Sequence, residues 1–189
     1  MTTTSAPFGL RPVNHPSGTI RPKRLINGIA SGYSSNLYQG VPIKIDTSGN
    51  VVISTGSDAI IGSFWGCEFT LAGRRMILPY WPASTVPDTT GDPFYVYYFD
   101  DPQIVYEVQG GVLAQTAIGD QANFATLTAG SYPPGISGAT LGTLVGTSSQ
   151  GQFRVEALAP YVNNNWSDTY TIVQGKIAQH QYVADKVAV

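Results

Sequence analysis

The most restrictive feature of the sequence is the run of residues 91–110, GDPFYVYYFDDPQIVYEVQG, near the middle of the chain. Residues 94–99 are all aromatic or β-branched, the composition of a strand in a pleated, half-buried sheet. Residues 100–102, Asp-Asp-Pro, supply turn chemistry, and residues 103–109 then alternate with the period of a strand. The run therefore predicts a hairpin, a pair of strands at the centre of an all-β body.

The two predicted strands differ in their faces. The first is apolar on both sides, so we expect it to be covered on both sides. The second carries Gln103, Glu107 and Gln109, so we expect one of its faces to meet water or a partner.

Composition supports a compact antiparallel β-barrel or sandwich. The 189 residues are 42% hydrophobic, which is enough for a real core, but only 12% are charged. Turn-forming residues are abundant, with 21 Gly and 13 Pro. Low charge and many turn formers disfavour a helical enzyme and also disfavour disorder, which needs high net charge.

The first 24 residues have a composition of their own and predict an extended arm in front of a body at residues 25–189. Prolines stand at positions 7, 12, 16 and 22, and the basic residues are Arg11, Arg21, Lys23 and Arg24, with no acidic residue before Asp46. Phe8 and Leu10 add apolar anchors. We expect this arm to be loosely packed in the free protein and to dock on a partner; a frayed terminus is the simpler alternative.

Several shorter patterns predict the rest of the body. Residues 41–45 and 51–53 flank a turn and predict a hairpin. Residues 59–69 predict a strand in which Gly62 and Gly66 mark bulges or close backbone approach. Residues 128–151 are rich in Gly, Ser, Thr and Pro and predict a loop.

Catalytic residues are not predicted. His15 and His180 are the only histidines, they lie at opposite ends of the chain, and no GxSxG motif accompanies them. We expect His180 to be a hydrogen-bonded residue of a sheet. Cys67 is the single cysteine and has no neighbouring basic residue, so we expect a small buried side chain.

The acidic residues near the centre of the chain are a weaker candidate. They are Asp88, Asp92, Asp100, Asp101 and Glu107. Paired carboxylates serve glycosidases and calcium sites, but this spacing matches neither motif, so turn caps are the expected role and a glycoside hydrolase is the third-ranked function. No metal and no cofactor are predicted.

Three other classes of partner were considered. A formal net charge of −2 predicts no general attraction to nucleic acid. No apolar run approaches ~18 residues, so no membrane span is predicted. Trp65, Trp81 and Trp166 could form a sugar-stacking platform, although aromatic residues spread this widely are more typical of a core.

Five segments, taken together and in order, resemble one protein family. They are residues 6–12 (APFGLRP), 61–69 (IGSFWGCEF), 80–83 (YWPA), 100–102 (DDP) followed by 106–109 (YEVQ), and 179–182 (QHQY). The set is similar to the capsid decoration, or cement, proteins of tailed bacteriophage heads.

The resemblance implies a non-enzymatic virion protein, made in the host cytoplasm, that binds the outer capsid surface and braces neighbouring capsomers. Its partner would be the major capsid protein, and a homo-oligomer, a trimer before a dimer, is expected. The arm would supply the contacts through Phe8, Leu10, Arg11, Arg21, Lys23 and Arg24. The alternative function is a carbohydrate-binding module that presents exposed aromatic residues, for instance in host attachment.

Overall fold

The structure, a computed structural model, describes residues 4–88 and 93–183. Its elements in chain order are β1 (Arg11–Asn14), β2 (Lys23–Ile26), β3 (Pro42–Ile45), β4 (Val51–Ile53), β5 (Gly62–Leu71), β6 (Arg74–Leu78), β7 (Tyr95–Phe99), β8 (Val105–Gln109), a 3₁₀ turn (Gln115–Ala117), β9 (Gln121–Ala125), β10 (Gly130–Ser131), β11 (Ile136–Ser137), β12 (Thr140–Leu144), β13 (Phe153–Leu158) and β14 (Ile172–Ile177). Within these ranges no helix has the length and apolar content needed to cross a membrane.

The strands form an all-β sandwich, which confirms the predicted fold class. The first sheet has the strand order β1-β8-β14-β13-β9-β12. The second sheet has the order β2-β7-β5-β3-β4, with β6 also paired to β5. All of these pairings are antiparallel, and β10 and β11 form a separate small hairpin.

Each sheet has its own apolar core. The core of the first sheet includes Tyr106, Val108, Phe153 and Val155, and the core of the second includes Ile43, Phe64, Trp81 and Val96. The chain passes between the cores at two places where adjacent residues belong to different ones, Ile60 with Ile61 and Tyr98 with Phe99. These crossings join the two sheets into one body.

The predicted central hairpin is wrong in its pairing, although both of its strands exist. β7 lies between β2 and β5 in the second sheet, whereas β8 lies between β1 and β14 in the first. The connection at residues 100–104 therefore carries the chain from one sheet to the other. Both edges of β7 and both edges of β8 are hydrogen-bonded within their own sheets, so neither strand has a free edge for the other.

The N-terminal segment also differs from its prediction, because much of it is part of the sandwich. β1 pairs with β8 and β2 pairs with β7, so the predicted boundary at residue 24 falls inside β2. Gly9 crosses Gly40 so closely that a Cβ on either would overlap the other segment's backbone, and the Leu10 N–H donates to the Gly40 carbonyl at 2.7 Å. Residues 9–14 and 23–26 are therefore part of the sandwich rather than of a loosely packed arm, whereas residues 4–6, 16–19, 21 and 22 are exposed.

Three shorter predictions have clear outcomes. The hairpin of residues 41–45 and 51–53 is confirmed as β3 and β4. Close approach at Gly62 and a bulge before Gly66 are confirmed, since a Cβ on Gly62 would overlap the Phe99 carbonyl oxygen. Residues 128–151 are not only a loop, because they contain β10, β11 and β12. The small residues there allow short strands that composition alone does not reveal.

Candidate functional site

The side of the second sheet that faces away from its core is the candidate site. On β7, Val96 and Tyr98 point into the core, so alternation turns Tyr95 and Tyr97 outward. Pairing register extends this side over four strands, because Ile26 lies opposite Tyr95, Tyr95 opposite Glu68, and Glu68 opposite Ile77. We name it the outer face of the second sheet: Arg24, Ile26, Trp65, Glu68, Arg75, Ile77, Tyr95 and Tyr97.

Large apolar side chains are exposed on this outer face. Ile77 is 75% exposed, Ile26 is 55% exposed and Trp65 is 43% exposed. The uncovered face of an antiparallel sheet is usually polar. Large exposed apolar side chains gathered on one sheet face indicate an interaction site.

Two guanidinium groups share one aromatic ring at the edge of the outer face. Arg24 Cζ lies 4.6 Å from the centroid of the Tyr95 ring, and Arg75 Cζ lies 5.5 Å from it. Arg75 is neutralised because its Nε donates to Glu68 Oε1 at 3.0 Å. Arg24 is exposed and has no ion pair with any described residue. The edge therefore carries one uncompensated positive charge.

Glu68 is fully engaged at the centre of the outer face. Its Oε2 accepts a hydrogen bond from the Tyr97 hydroxyl at 3.0 Å, while Oε1 accepts from Arg75. The hydrogen bond from Arg75, joined by that from Tyr97 and the nearby charge of Arg24, holds the pKa of Glu68 below its ordinary value despite partial burial. Burial and the bond to Glu68 raise the pKa of Tyr97, so its hydroxyl stays protonated and donates.

A groove continues the outer face toward the β10–β11 hairpin. It has a volume of ≈ 460 Å³, and Trp65, Ile77, Pro79 and Tyr97 contribute to its walls. Beyond Pro79, the ring of Tyr80 stacks edge-on against Tyr132, which is 73% exposed. Aromatic surface therefore extends past the sheet itself.

The equivalent side of the first sheet is built differently. There the buried carboxylate of Glu107 accepts hydrogen bonds from Arg11 Nη2 and from the Tyr161 hydroxyl, both at 2.7 Å, and from Gln174 Nε2 at 2.9 Å. Gln109 is buried beside it and accepts from the Ala6 N–H at 3.0 Å. The polar face of β8, which we expected to meet water or a partner, is covered by the chain's own N-terminal segment.

The environment of Glu107 favours its charged form. Burial acts to raise the pKa of Glu107, but hydrogen bonds from Gln174, Tyr161 and Arg11, with the charge of Arg11, hold it below its ordinary value. The network therefore stabilises the fold as an ionised group, and its donors come from three separate parts of the chain.

The predicted docking residues of the arm have separate positions. Leu10 is fully buried in the core of the first sheet, and Phe8 lies under the Arg11 guanidinium at 4.3 Å. Lys23 Nζ is 2.8 Å from Asp100 Oδ2, and that hydrogen bond raises the pKa of Lys23. Arg21 is exposed. Among these six residues only Arg24 belongs to the outer face of the second sheet.

His180 is buried and hydrogen-bonded, as predicted, but it lies beyond β14 in an isolated bridge to Ile60 rather than in a sheet strand. It is buried, its Nε2 lies 3.1 Å from the Asp100 carbonyl, and its Nδ1 accepts the Tyr182 N–H at 3.1 Å. Burial lowers the pKa of His180, which favours the neutral ring that this pattern requires.

His15 has neighbours that its place in the sequence did not suggest. Its Nδ1 lies 2.6 Å from Ser17 Oγ, and its Nε2 lies 3.2 Å from Asp101 Oδ2 without an aligned hydrogen bond. The Ser17 N–H also donates to Nδ1, and the Gly18 N–H closes a turn onto the His15 carbonyl. We interpret the cluster as the stabilisation of this turn around Pro16.

The acidic residues considered as a site have separate structural roles in the described part of the chain, and among them only Asp101 is a local cap. Asp88 accepts the Gly73 N–H and Asp101 accepts the Gln103 N–H, both at 2.8 Å, while Asp100 pairs with Lys23. Asp92 lies outside the described residues. No group of three or more His, Cys, Asp and Glu side chains within the described ranges is arranged to hold a metal.

Cys67 and the tryptophans complete the predicted candidates. Cys67 is buried, and burial raises the pKa of its thiol to about 12, which makes it unreactive. Trp81 is a core residue and Trp166 packs partly buried against the other core, so only Trp65 is available on the surface. The three tryptophans do not form one platform.

Comparison of the chain with protein-family models, with curated proteins and with solved structures finds no match. The site is therefore interpreted from its own geometry.

The outer face was not predicted from the sequence, although two features of its strands point to it. Trp65 is the only exposed residue in the first eight positions of β5, where its neighbours Phe64 and Gly66 are buried. The alternation of Tyr95 and Tyr97 with core residues was also readable. Which side of these strands remained uncovered was decided by tertiary packing.

Proposed function

We propose that this chain is a non-enzymatic decoration protein of a tailed-phage head, which binds the outer capsid surface and braces neighbouring capsomers. The observation that carries the proposal is the outer face of the second sheet, where Trp65, Ile26, Ile77 and Arg24 are exposed beside the half-buried Tyr95 and Tyr97. Trp, Tyr and Arg are the residues that dominate protein-binding energy at interfaces. The sequence resemblance to decoration proteins supports the class of partner.

The rigidity of the body supports the same function. The N-terminal segment pairs with both sheets, and the Glu107 network fastens it to the first sheet. A protein that braces a shell needs a stiff frame and contact area, and it needs no catalytic group.

Cosedimentation with emptied heads of the phage that encodes the chain tests the proposal. The unmodified protein should pellet with heads, and Ile77→Ser should lose most of that binding because it removes an exposed aliphatic contact. Val162→Ser is the matched control, since Val162 is 98% exposed and lies outside this face. Failure of the unmodified protein to bind, or equal binding by Ile77→Ser, would contradict the proposal.

A carbohydrate-binding module is the second candidate, and Trp65 favours it. An exposed indole beside Tyr97 and Glu68 could stack on a sugar ring and bond its hydroxyls. Two features rank it below the first: Ile26 and Ile77 offer aliphatic rather than stacking surface, and both Glu68 oxygens are already bonded. Glycan-array binding that Trp65→Ala abolishes would reverse this ranking.

Self-association is part of the proposal. A homo-oligomer, a trimer before a dimer, would suit the low charge content and the closed symmetry that protein assemblies favour. Analytical ultracentrifugation at micromolar concentration should find more than the 20.1 kDa monomer. A monomer alone would restrict any assembly to the shell surface.

A further inference from the structure

The part of the outer face around Tyr95, where β7 lies between β2 and β5 and β6 follows β5, has the chemistry of an anion-binding contact next to an apolar one. Arg24 lies over the face of Tyr95, which holds its guanidinium near the sheet while leaving its N–H donors directed to solvent or a partner. Arg75 approaches the same ring but is already paired with Glu68. Arg75 is thus ion-paired, whereas Arg24 acts on Glu68 only through its nearby charge and forms no ion pair with a described carboxylate.

Among the three charged side chains of the outer face, the sum is an excess of one positive charge. Arg24 and Arg75 contribute two, and Glu68 contributes one negative charge, which its lowered pKa keeps ionised at neutral pH. Glu68 cannot pair with Arg24 as well without giving up its bonds to Arg75 or Tyr97. A carboxylate of a partner could therefore bond Arg24 without competing with Glu68.

Apolar contacts adjoin the free cation on the same face. Ile26 is on the same strand as Arg24, two residues on, so both side chains project from one side of β2. Ile77 and Trp65 continue the apolar surface across the sheet. A ligand that fills this arrangement combines a carboxylate with an apolar side chain at short spacing.

We propose that the Arg24–Tyr95 edge recognises a carboxylate of a partner protein, within an extended acidic segment whose apolar side chains lie on Ile26, Trp65 and Ile77. The proposal deepens the proposed function, because it rests on the same outer face and names the chemistry of the partner. Arg24 supplies a planar, bidentate donor for the carboxylate, and the exposed aliphatic and indole groups supply the apolar contact.

Nuclear magnetic resonance titration tests the proposal without phage heads. The probes are a blocked hexapeptide of alternating Asp and Leu and its Asn-Leu counterpart. The Asp peptide should shift the Arg24 side-chain signal and the amides of β2, β6 and β7, and it should bind at least about tenfold more tightly than the Asn peptide, as expected for a charge-assisted contact. The difference should shrink between about 0.05 M and about 0.5 M salt.

Variants of the full chain identify the residue responsible. Arg24→Gln should remove the preference for the Asp peptide, and Arg24→Lys should retain part of it. Arg154→Gln is the matched control, because Arg154 is a surface arginine of the first sheet that is paired with Glu156, and it should keep the preference. Equal binding of both peptides, no shift with either, or an unchanged preference in Arg24→Gln would overturn the proposal.

A parallel measurement on emptied heads separates this proposal from the proposed function. If the unmodified chain binds the Asp peptide but no heads, the capsid function fails and carboxylate recognition stands. If heads bind Arg24→Gln as tightly as the unmodified chain, the capsid function stands and the carboxylate contact is overturned for that partner. A loss of about tenfold in Arg24→Gln supports both.

Discussion

The two sheets differ in the burial of the side chains that point away from their cores. On the first sheet, Glu107 and Gln109 are buried under the N-terminal segment, and Glu107 is bonded by Arg11, Tyr161 and Gln174. On the second sheet, Ile26, Trp65 and Ile77 remain exposed, and Arg24 has no carboxylate among the described residues.

The difference separates a side whose polar groups are bonded within the chain from a side whose apolar groups remain open to a partner. Burying a carboxylate is costly unless it is bonded, so the covered side required three donors that match it. Exposed apolar groups raise the free energy through their contact with water, and association with a partner removes that contact. The covered side is therefore structural, and the uncovered side is where we place binding.

Removing residues 1–24 would test the covered side most severely. The truncation deletes β1, half of β2 and the buried Leu10 side chain. We expect a loss comparable to the whole stability of a domain, more than about 5 kcal/mol, so the shortened chain should not fold cooperatively. Circular dichroism during thermal unfolding is the measurement. An unchanged spectrum and melting temperature would mean that the segment is an appendage, as its composition first indicated.

Leu10→Ala isolates the apolar part of the same contact. Leu10 is fully buried in the core of the first sheet, so the substitution leaves a cavity and should cost about 2–5 kcal/mol in free energy of unfolding. Val112→Ala, at an exposed aliphatic position, should change stability by less than about 0.5 kcal/mol. Urea denaturation of the two variants would show no difference if Leu10 were not part of the core.

Glu107→Gln tests the polar part of the contact and its pH dependence. Loss of the charged acceptor should cost about 1–3 kcal/mol at neutral pH. Because the folded pKa of Glu107 lies below its ordinary 4.5, its contribution is complete above that value and is lost as the pH falls through the folded pKa. Denaturation at several pH values should find the variant and the unmodified protein converging in acid. Glu68→Gln, at a more exposed carboxylate, should give a smaller change in the same direction. A constant gap down to low pH would contradict the assignment.

Ile77→Ser should have the smallest effect on stability. It tests most directly whether the outer face of the second sheet is free of structural contacts. Its side chain is 75% exposed, so the free energy of unfolding should change by no more than about 0.5 kcal/mol. Ile43→Ser, on a buried position of the same sheet, should be strongly destabilising. If the two variants unfold at the same denaturant concentration, Ile77 is not a free surface residue.

The sequence alone was enough for the fold class and for most strand positions. Alternation and turn residues predicted β3 with β4, the strand position of β7 and the tight approach at Gly62, whereas the expected cover on both faces of β7 was wrong, because Tyr95 and Tyr97 are only half-buried on the outer face. These patterns are local, because a strand's period and a glycine's missing Cβ depend on the residue itself. Local patterns also predicted the capping role of Asp101 and the unreactive Cys67.

Tertiary structure alone decided which strands became neighbours and which faces were covered. β7 and β8 are adjacent in sequence but lie in different sheets. The N-terminal segment has no acidic residue, and its Arg11 and Lys23 form ion pairs with the distant Glu107 and Asp100. Alternation says that a strand has two faces, but it does not say what will lie on each one. Glu107 became a buried anchor because Arg11, Tyr161 and Gln174 meet on it, whereas no described side chain covers Trp65 to the same degree.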